Sequence, residues 1–136
     1  MVDVGAKPVQ KRVASASATL HCRPATIRLL KKSALPKGDV LATARIAGIQ
    51  AAKQTAALIP LCHTLLIDSV TVEFAVATAS VSILTTVSIH GKTGVEMEAL
   101  TAASVAALTL YDMMKAVDTD MHITDLRVLT KIKISP

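Results

Sequence analysis

Phe74 and Tyr111 are the only aromatic side chains in a chain of 136 residues, half of which are apolar. The core must therefore be built from valine, isoleucine, leucine and alanine, and alanine-rich helices pack with their backbones close to their neighbours. So much apolar surface in a short chain exceeds what one small core hides, which predicts buried subunit interfaces and an oligomer. The length fits one domain, residues 1–136. With only 18% charged residues, wholesale disorder is excluded.

Charge is unevenly spread. Residues 1–53 carry ten Lys/Arg against Asp3 and Asp39, a net of +8, whereas residues 54–136 carry five against eight acids, a net of −3. A basic half of this kind faces nucleic acid, an acidic membrane surface or a phosphorylated small molecule, or pairs with the acidic half of the same or a neighbouring subunit. Binding RNA across a sheet calls for exposed aromatics on which bases stack, and two aromatics make that reading poor. Cys22 and Cys62 lie forty residues apart without a Cys-x-x-Cys spacing, which argues against a zinc or redox motif. His21, His63, His90 and His122 are scattered, so no metal site is expected. No apolar run is long enough to span a bilayer, since the uncharged stretch Ala99–Tyr111 is interrupted by Thr and Ser. The opening residues lack a signal-peptide pattern, and the expectation is a soluble, cytoplasmic chain.

Residues 11–22 alternate small or apolar with polar, as a strand does, and Arg23-Pro24 ends them. Pro24 suits the first turn of a short helix to about Lys32. After a turn at Leu35-Pro36-Lys37-Gly38, Asp39 caps a helix expected over Val40–Leu58, which Pro60 stops. Leu65–Ala77 and Val81–His90 alternate and read as a hairpin. Beyond Gly91 and Gly94, a long helix is expected from about Glu98 to Val117, then a last strand from His122 to about Lys131. This order makes an α+β fold of ferredoxin-like β-α-β-β-α-β type, a four-stranded antiparallel sheet with helices on one face. The other face would be left for a second subunit to cover.

Gly91-Lys92-Thr93 looks like the end of a phosphate-binding P-loop, but Thr86 stands where that motif needs glycine. Cys62-His63 places a thiol beside an imidazole at a helix-to-strand junction; the alternative is a buried cysteine and a histidine satisfied by backbone. Asp112 and Lys115 share a helix face. They are a proton-transfer pair if the thirteen uncharged residues before Asp112 signal a partly dry cleft, or a surface ion pair worth at most about 1 kcal/mol if not. Glu96 and Glu98 suit the positive end of the same helix. Fourteen residues separate Glu98 from Asp112, about 21 Å of helix. If both serve one small substrate, a second chain must bring one of them.

Lys37-Gly38-Asp39-Val40, the run Ala42 to Lys53, Pro60-Leu61-Cys62-His63, Gly91 to Ala102, Tyr111-Asp112-Met113 and Lys115-Ala116-Val117 together resemble the MoaC family of cyclic pyranopterin monophosphate synthases. The opening Met1-Val2-Asp3-Val4, Lys7 and Arg12 fit as well, so the likeness runs collinearly over nearly the whole chain. Three features depart from the family: Thr64 replaces a proline, Met114 replaces a cysteine, and the family's Gly-Gly-Lys-Ser-Gly tail after the last strand is missing, the sequence reading Lys131-Ile132-Lys133-Ile134-Ser135-Pro136 there.

The resemblance implies a lyase of molybdenum cofactor biosynthesis. Such an enzyme turns 3′,8-cyclo-7,8-dihydroguanosine triphosphate into cyclic pyranopterin monophosphate and pyrophosphate, without a redox cofactor, although Mg2+ can accompany the triphosphate. It implies a homohexamer, a trimer of dimers, with sites at dimer interfaces and with no nucleic-acid or membrane partner. On the same ground Asp112 and Lys115 would be the acid–base pair. Leu61, Cys62, His63, Met97, Glu96 and Glu98 would hold the pterin-forming part. Lys37, Arg12, Arg45, Lys53 and Lys7 would surround the triphosphate. The alternatives are a purely structural oligomer or a homologue that kept the fold and lost the activity.

Overall fold

The structure is a computed structural model and describes residues 1–135. Its elements run β1 (Gln10–His21), α1 (Pro24–Lys31), α2 (Val40–Lys53), α3 (Thr55–Leu58), β2 (Ser69–Val76), β3 (Ser80–Gly91), α4 (Glu96–Met114) and β4 (His122–Ile134). The four strands form one antiparallel sheet in the order β2-β3-β1-β4. With helices packed on one face, this is the ferredoxin-like arrangement that the element order predicts.

The strands are amphipathic with period two. Ala14, Ala16, Ala18 and Leu20 of β1 and Val81, Ile83, Val87 and Ile89 of β3 are buried beneath the helices. Val13, Ser15, Ser17 and Thr19 alternate with them on the outer face. That face also carries exposed Leu84, Leu129, Ile132 and Ile134. Small residues set the distance between helices. A Cβ on Gly48 of α2 would lie 3.1 Å from the Ala102 carbonyl oxygen and 3.4 Å from the Ala106 methyl of α4. Thr85 of β3 is buried and donates its hydroxyl to the Ala99 carbonyl at 2.7 Å, fastening the first turns of α4 to the sheet.

Several boundaries differ from expectation. The helix read as Val40–Leu58 stops at Lys53, and α3 is a separate turn. The hydroxyl of Thr55 donates to the Ala51 and Ala52 carbonyls, competing with the helix's own backbone bonds. The strand read as Leu65–Ala77 begins only at Ser69. Leu65 and Ile67 pack against the core, so the alternation there records burial without strand pairing. The last strand runs three residues further than expected, to Ile134, because β1 offers it partners as far as Lys11. The helix read as Glu98–Val117 is α4, Glu96–Met114.

Asp118 joins the two ends of the helical layer. It is fully buried and accepts from the Arg23 N–H (2.9 Å), the Thr26 hydroxyl (2.7 Å) and the Asp120 N–H (2.9 Å). The Arg23 guanidinium stands 3.3 Å from its other oxygen. Burial by itself would raise this carboxyl, but the three hydrogen bonds and Arg23 outweigh it and hold its pKa below the ordinary value.

Candidate active site

A cleft of about 330 Å³ opens where three segments meet at the N-terminus of α4. The N-terminal segment supplies Val2, Val4 and Lys7; the loop after α3 supplies Leu61, Cys62, His63 and Leu65; the start of α4 and its approach supply Thr93, Gly94, Glu96, Met97 and Glu98. Lys92 holds the first of these walls in place, donating from Nζ to the Gly5 carbonyl at 2.9 Å. This lysine of the P-loop look-alike thus fastens the N-terminal segment to the approach to α4.

Glu98 is only 4% exposed. Burial pushes its carboxyl up, a bond from backbone opposes that, and the neighbouring Glu96 pushes it further up. The Cys62 thiol is raised as well, first by burial and then by Glu98 and Glu96. It is a protonated thiol at neutral pH, a donor and packing group with no thiolate nucleophilicity. Glu96 accepts from Lys131 Nζ at 3.0 Å through Oε1, while its Oε2 is buried without a partner among the described residues. A Cβ at Gly94 would press on this carboxylate, which would have to swing aside to admit a side chain.

At the far end of α4, Asp112 lies between two lysines, with Lys37 Nζ at 2.9 Å and Lys115 Nζ at 3.1 Å. Gly38, at φ +99°, turns the loop that carries Lys37, and Asp39 then caps α2 by accepting from the Ala42 N–H at 3.1 Å. The hydrogen bonds from Lys37 and then Lys115 hold the Asp112 carboxyl below its ordinary value, so it is ionised at neutral pH. The dry cleft expected here is absent from the single chain: Asp112 and Lys115 side chains are 53% and 56% exposed. The uncharged run before them winds round the whole helix: Ala99, Ala102, Ala103, Ala106, Ala107 and Leu110 are buried, whereas Leu108, one turn before Asp112 and on the same side, is exposed.

The sequence-predicted residues therefore fall into separate groups. Lys7, Leu61, Cys62, His63, Glu96, Met97 and Glu98 share the cleft; Lys37, Asp112 and Lys115 form the second cluster. The two are joined by one unbroken 19-residue helix, so Glu98 and Asp112 stand about 21 Å apart along it. Arg12 lies in a smaller neighbouring cleft beside Gly94 and Val95. Arg45 donates from Nε to the Val72 carbonyl at 2.9 Å and lies over the Phe74 ring at 5.5 Å, tying α2 to β2. Lys53 borders a groove with Ile49 and the 65–70 segment. Sequence reasoning missed the walls made by Val2 and Val4, and the lysines of β4. Nothing in the residues themselves announces that the N-terminal segment folds over α4, but the spacing of Lys131 and Lys133, two apart on an alternating strand, places both on one face. Among the described residues no group of three or more His, Cys, Asp or Glu is placed to hold a metal ion.

The family model of the MoaC family matches residues 1–133. Three similar proteins are each called cyclic pyranopterin monophosphate synthase. The one from Herpetosiphon aurantiacus is 59% identical over 96% of this chain and 81% of its own length. The one from a Roseiflexus species is 57% identical over 96% and 84%. The one from Streptomyces griseus is 56% identical over 96% and 74%.

Proposed function

The chain belongs to the MoaC family, and from that premise we propose that it is a lyase of molybdenum cofactor biosynthesis, converting 3′,8-cyclo-7,8-dihydroguanosine triphosphate to cyclic pyranopterin monophosphate with release of pyrophosphate. Relatives more than half identical over nearly the whole chain carry the synthase name. Every residue quoted for the resemblance is present, including both halves of the site. The imidazole portion of the purine opens, the pyranopterin ring closes, and the α-phosphate is captured as a cyclic ester while pyrophosphate leaves. These are proton transfers and one phosphoryl displacement, for which side-chain acids, bases and cations suffice.

Asp112, kept ionised by its two lysines, is the base of the pair, and Lys115 carries a proton to and from the opening ring. Glu96 and Glu98 accept from the guanine-type N–H groups, Glu98 through its carbonyl oxygen where burial favours the protonated form, with Leu61, Cys62, His63 and Met97 shaping that end. Lys37, Lys7 and Arg12 face the phosphates. Arg45 and Lys53 join them only through an interface with another copy. A divalent ion, if used, arrives with the triphosphate.

The observation that carries this reading furthest is the separation of the two clusters along α4. One nucleotide cannot reach both ends of the helix in one chain, so the site is completed by a neighbouring subunit. A homohexamer arranged as a trimer of dimers meets that demand and covers the apolar outer face of the sheet. Among the described residues no helix is long and apolar enough to cross a membrane, and the proposed location is the cytoplasm.

The test mixes Asp112→Ala chains with Glu98→Ala chains after dissociation and reassembly. Each is inactive alone, and hybrids contain interfaces with one intact site, so pyrophosphate release returns in part. If no mixture regains activity while the cyclic nucleotide is turned over by wild type, sites shared between chains are ruled out. If the folded wild-type assembly releases no pyrophosphate from that nucleotide, the reaction itself is wrong.

A further inference from the structure

Residues 1–7 line one side of the larger cleft through Val2, Val4 and Lys7, and very little holds them there. Their two turns are local: the Gly5 N–H donates to the Asp3 carboxylate at 2.7 Å and the Lys7 N–H to the Val4 carbonyl at 3.0 Å. Among the described residues a single hydrogen bond ties this segment to the rest of the chain, from Lys92 Nζ to the Gly5 carbonyl at 2.9 Å. Apolar packing adds little, since Val4 is half-buried and the other six residues are exposed. Ordering a segment of this length costs more than one charge-assisted hydrogen bond returns. The closed position is therefore shallow, and contacts from a guest in the cleft deepen it.

Gln10 and Gly91 are the end pair of the β1–β3 ladder, so Pro8-Val9 and Lys92 leave the sheet side by side. From there the segment folds back until the Gly5 carbonyl meets the Lys92 ammonium. The base of this contact is fixed, because the Lys92 carbonyl accepts an Arg12 N–H at 3.3 Å. Among the described residues Lys92 has no carboxylate partner. Its ammonium is committed to a neutral carbonyl, and it is only half-buried, so releasing that carbonyl strands no buried charge. We propose that residues 1–7 open and close over the cleft about Pro8-Val9, and that Lys92 is a positioning residue, the latch that holds them closed. Its part in turnover rests on the reaction inferred above. Lys92 acts through Val2, Val4 and Lys7, which it brings against the guest, and closure keeps bulk water from the end of the cleft where Glu98 is buried.

The test pairs two measurements on the full chain: rapid-quench hydrogen exchange of the stretch 1–9, and steady-state pyrophosphate release from the cyclic nucleotide. In Lys92→Ala the stretch exchanges faster than in wild type and KM rises about tenfold, as expected for one charge-assisted contact, while kcat changes little and the melting temperature stays that of wild type. Lys92→Arg, which keeps a donor for the Gly5 carbonyl, restores most of both. Lys31→Ala, which removes an equal charge from α1, alters neither. Unchanged exchange in Lys92→Ala overturns the proposal. Faster exchange with KM unchanged also overturns it, because the latch would then have no part in binding, as does a fall in kcat alone, which would place Lys92 in the chemistry. In a wild type that releases no pyrophosphate, Lys92-dependent exchange supports the latch and refutes the reaction. Normal turnover with Lys92-independent exchange does the reverse.

Discussion

Replacing Asp118 probes how the far end of the site is held. The carboxylate accepts two backbone N–H groups and the hydroxyl of Thr26, which is itself buried, and it faces Arg23. In Asp118→Ala these donors lose a charged acceptor at once. Arg23 and Asp120 are exposed and can turn to water, but the Thr26 hydroxyl cannot. Bonds to charged groups contribute about 1.5–3 kcal/mol each and a stranded buried donor costs about 1–3 kcal/mol. Allowing for rehydration of the exposed groups, the loss is about 3 kcal/mol, a large part of a typical domain's stability. Asp118→Asn keeps an acceptor for Arg23 N–H and Thr26 and loses the bond to Asp120 and the charge, so it costs about 1 kcal/mol.

The pH dependence gives an independent check. The folded pKa of Asp118 is depressed, so its stabilisation is complete above the unfolded value near 3.9 and disappears as pH falls through the folded one. The gap between wild type and Asp118→Asn should therefore be widest near neutrality and narrow below about pH 4. Urea unfolding followed by far-ultraviolet circular dichroism suits a chain without tryptophan, at one fixed protein concentration because assembly adds to stability. A loss under about 0.5 kcal/mol in Asp118→Ala, the range of ordinary surface changes, or a gap indifferent to pH would refute the account.

Lys115→Ala should lower turnover by about 10²–10⁴-fold, the usual contribution of a positioned acid or base, with the assembly intact by light scattering; surviving activity would remove Lys115 from the chemistry. Glu98→Gln should be inactive yet more stable than wild type at neutral pH. A carboxyl whose folded pKa is raised destabilises the fold as pH rises above its unfolded value near 4.3, and the two proteins should converge below it in denaturant titrations. Gly48→Val should cost about 2 kcal/mol by forcing α2 away from the Ala102 carbonyl, seen as a lower urea midpoint with activity per folded molecule reduced.

Much of the fold was legible because alternation and caps are local. The runs at 11–22 and 81–90, Pro24 at a first turn, and Asp39 as a cap each translated directly into an element. What misled was pattern produced by burial alone: Leu65 and Ile67 alternate as strand residues do, yet they pack against the core from an irregular segment. The uncharged approach to Asp112 does not mean burial on its side of α4, because Leu108, one turn earlier on that side, is uncharged and yet exposed. The site's chemical groups were recognisable from their motifs, but their grouping was not. Arg45 lies against Phe74, and Arg12 beside Lys131 and Lys133, for reasons of register that no single segment contains.

By itself, the order of residues determined an aliphatic core, the succession of strands and helices, and the 21 Å between the acids at the two ends of one helix, because each depends on neighbours within a few positions along the chain. Only the tertiary structure decided that the N-terminal segment walls the cleft, that Glu98 is buried while Asp112 stays open to solvent, and that Arg12 meets Lys133. Those facts depend on which distant segments are brought side by side, and burial and charge act through space, whatever their separation in sequence.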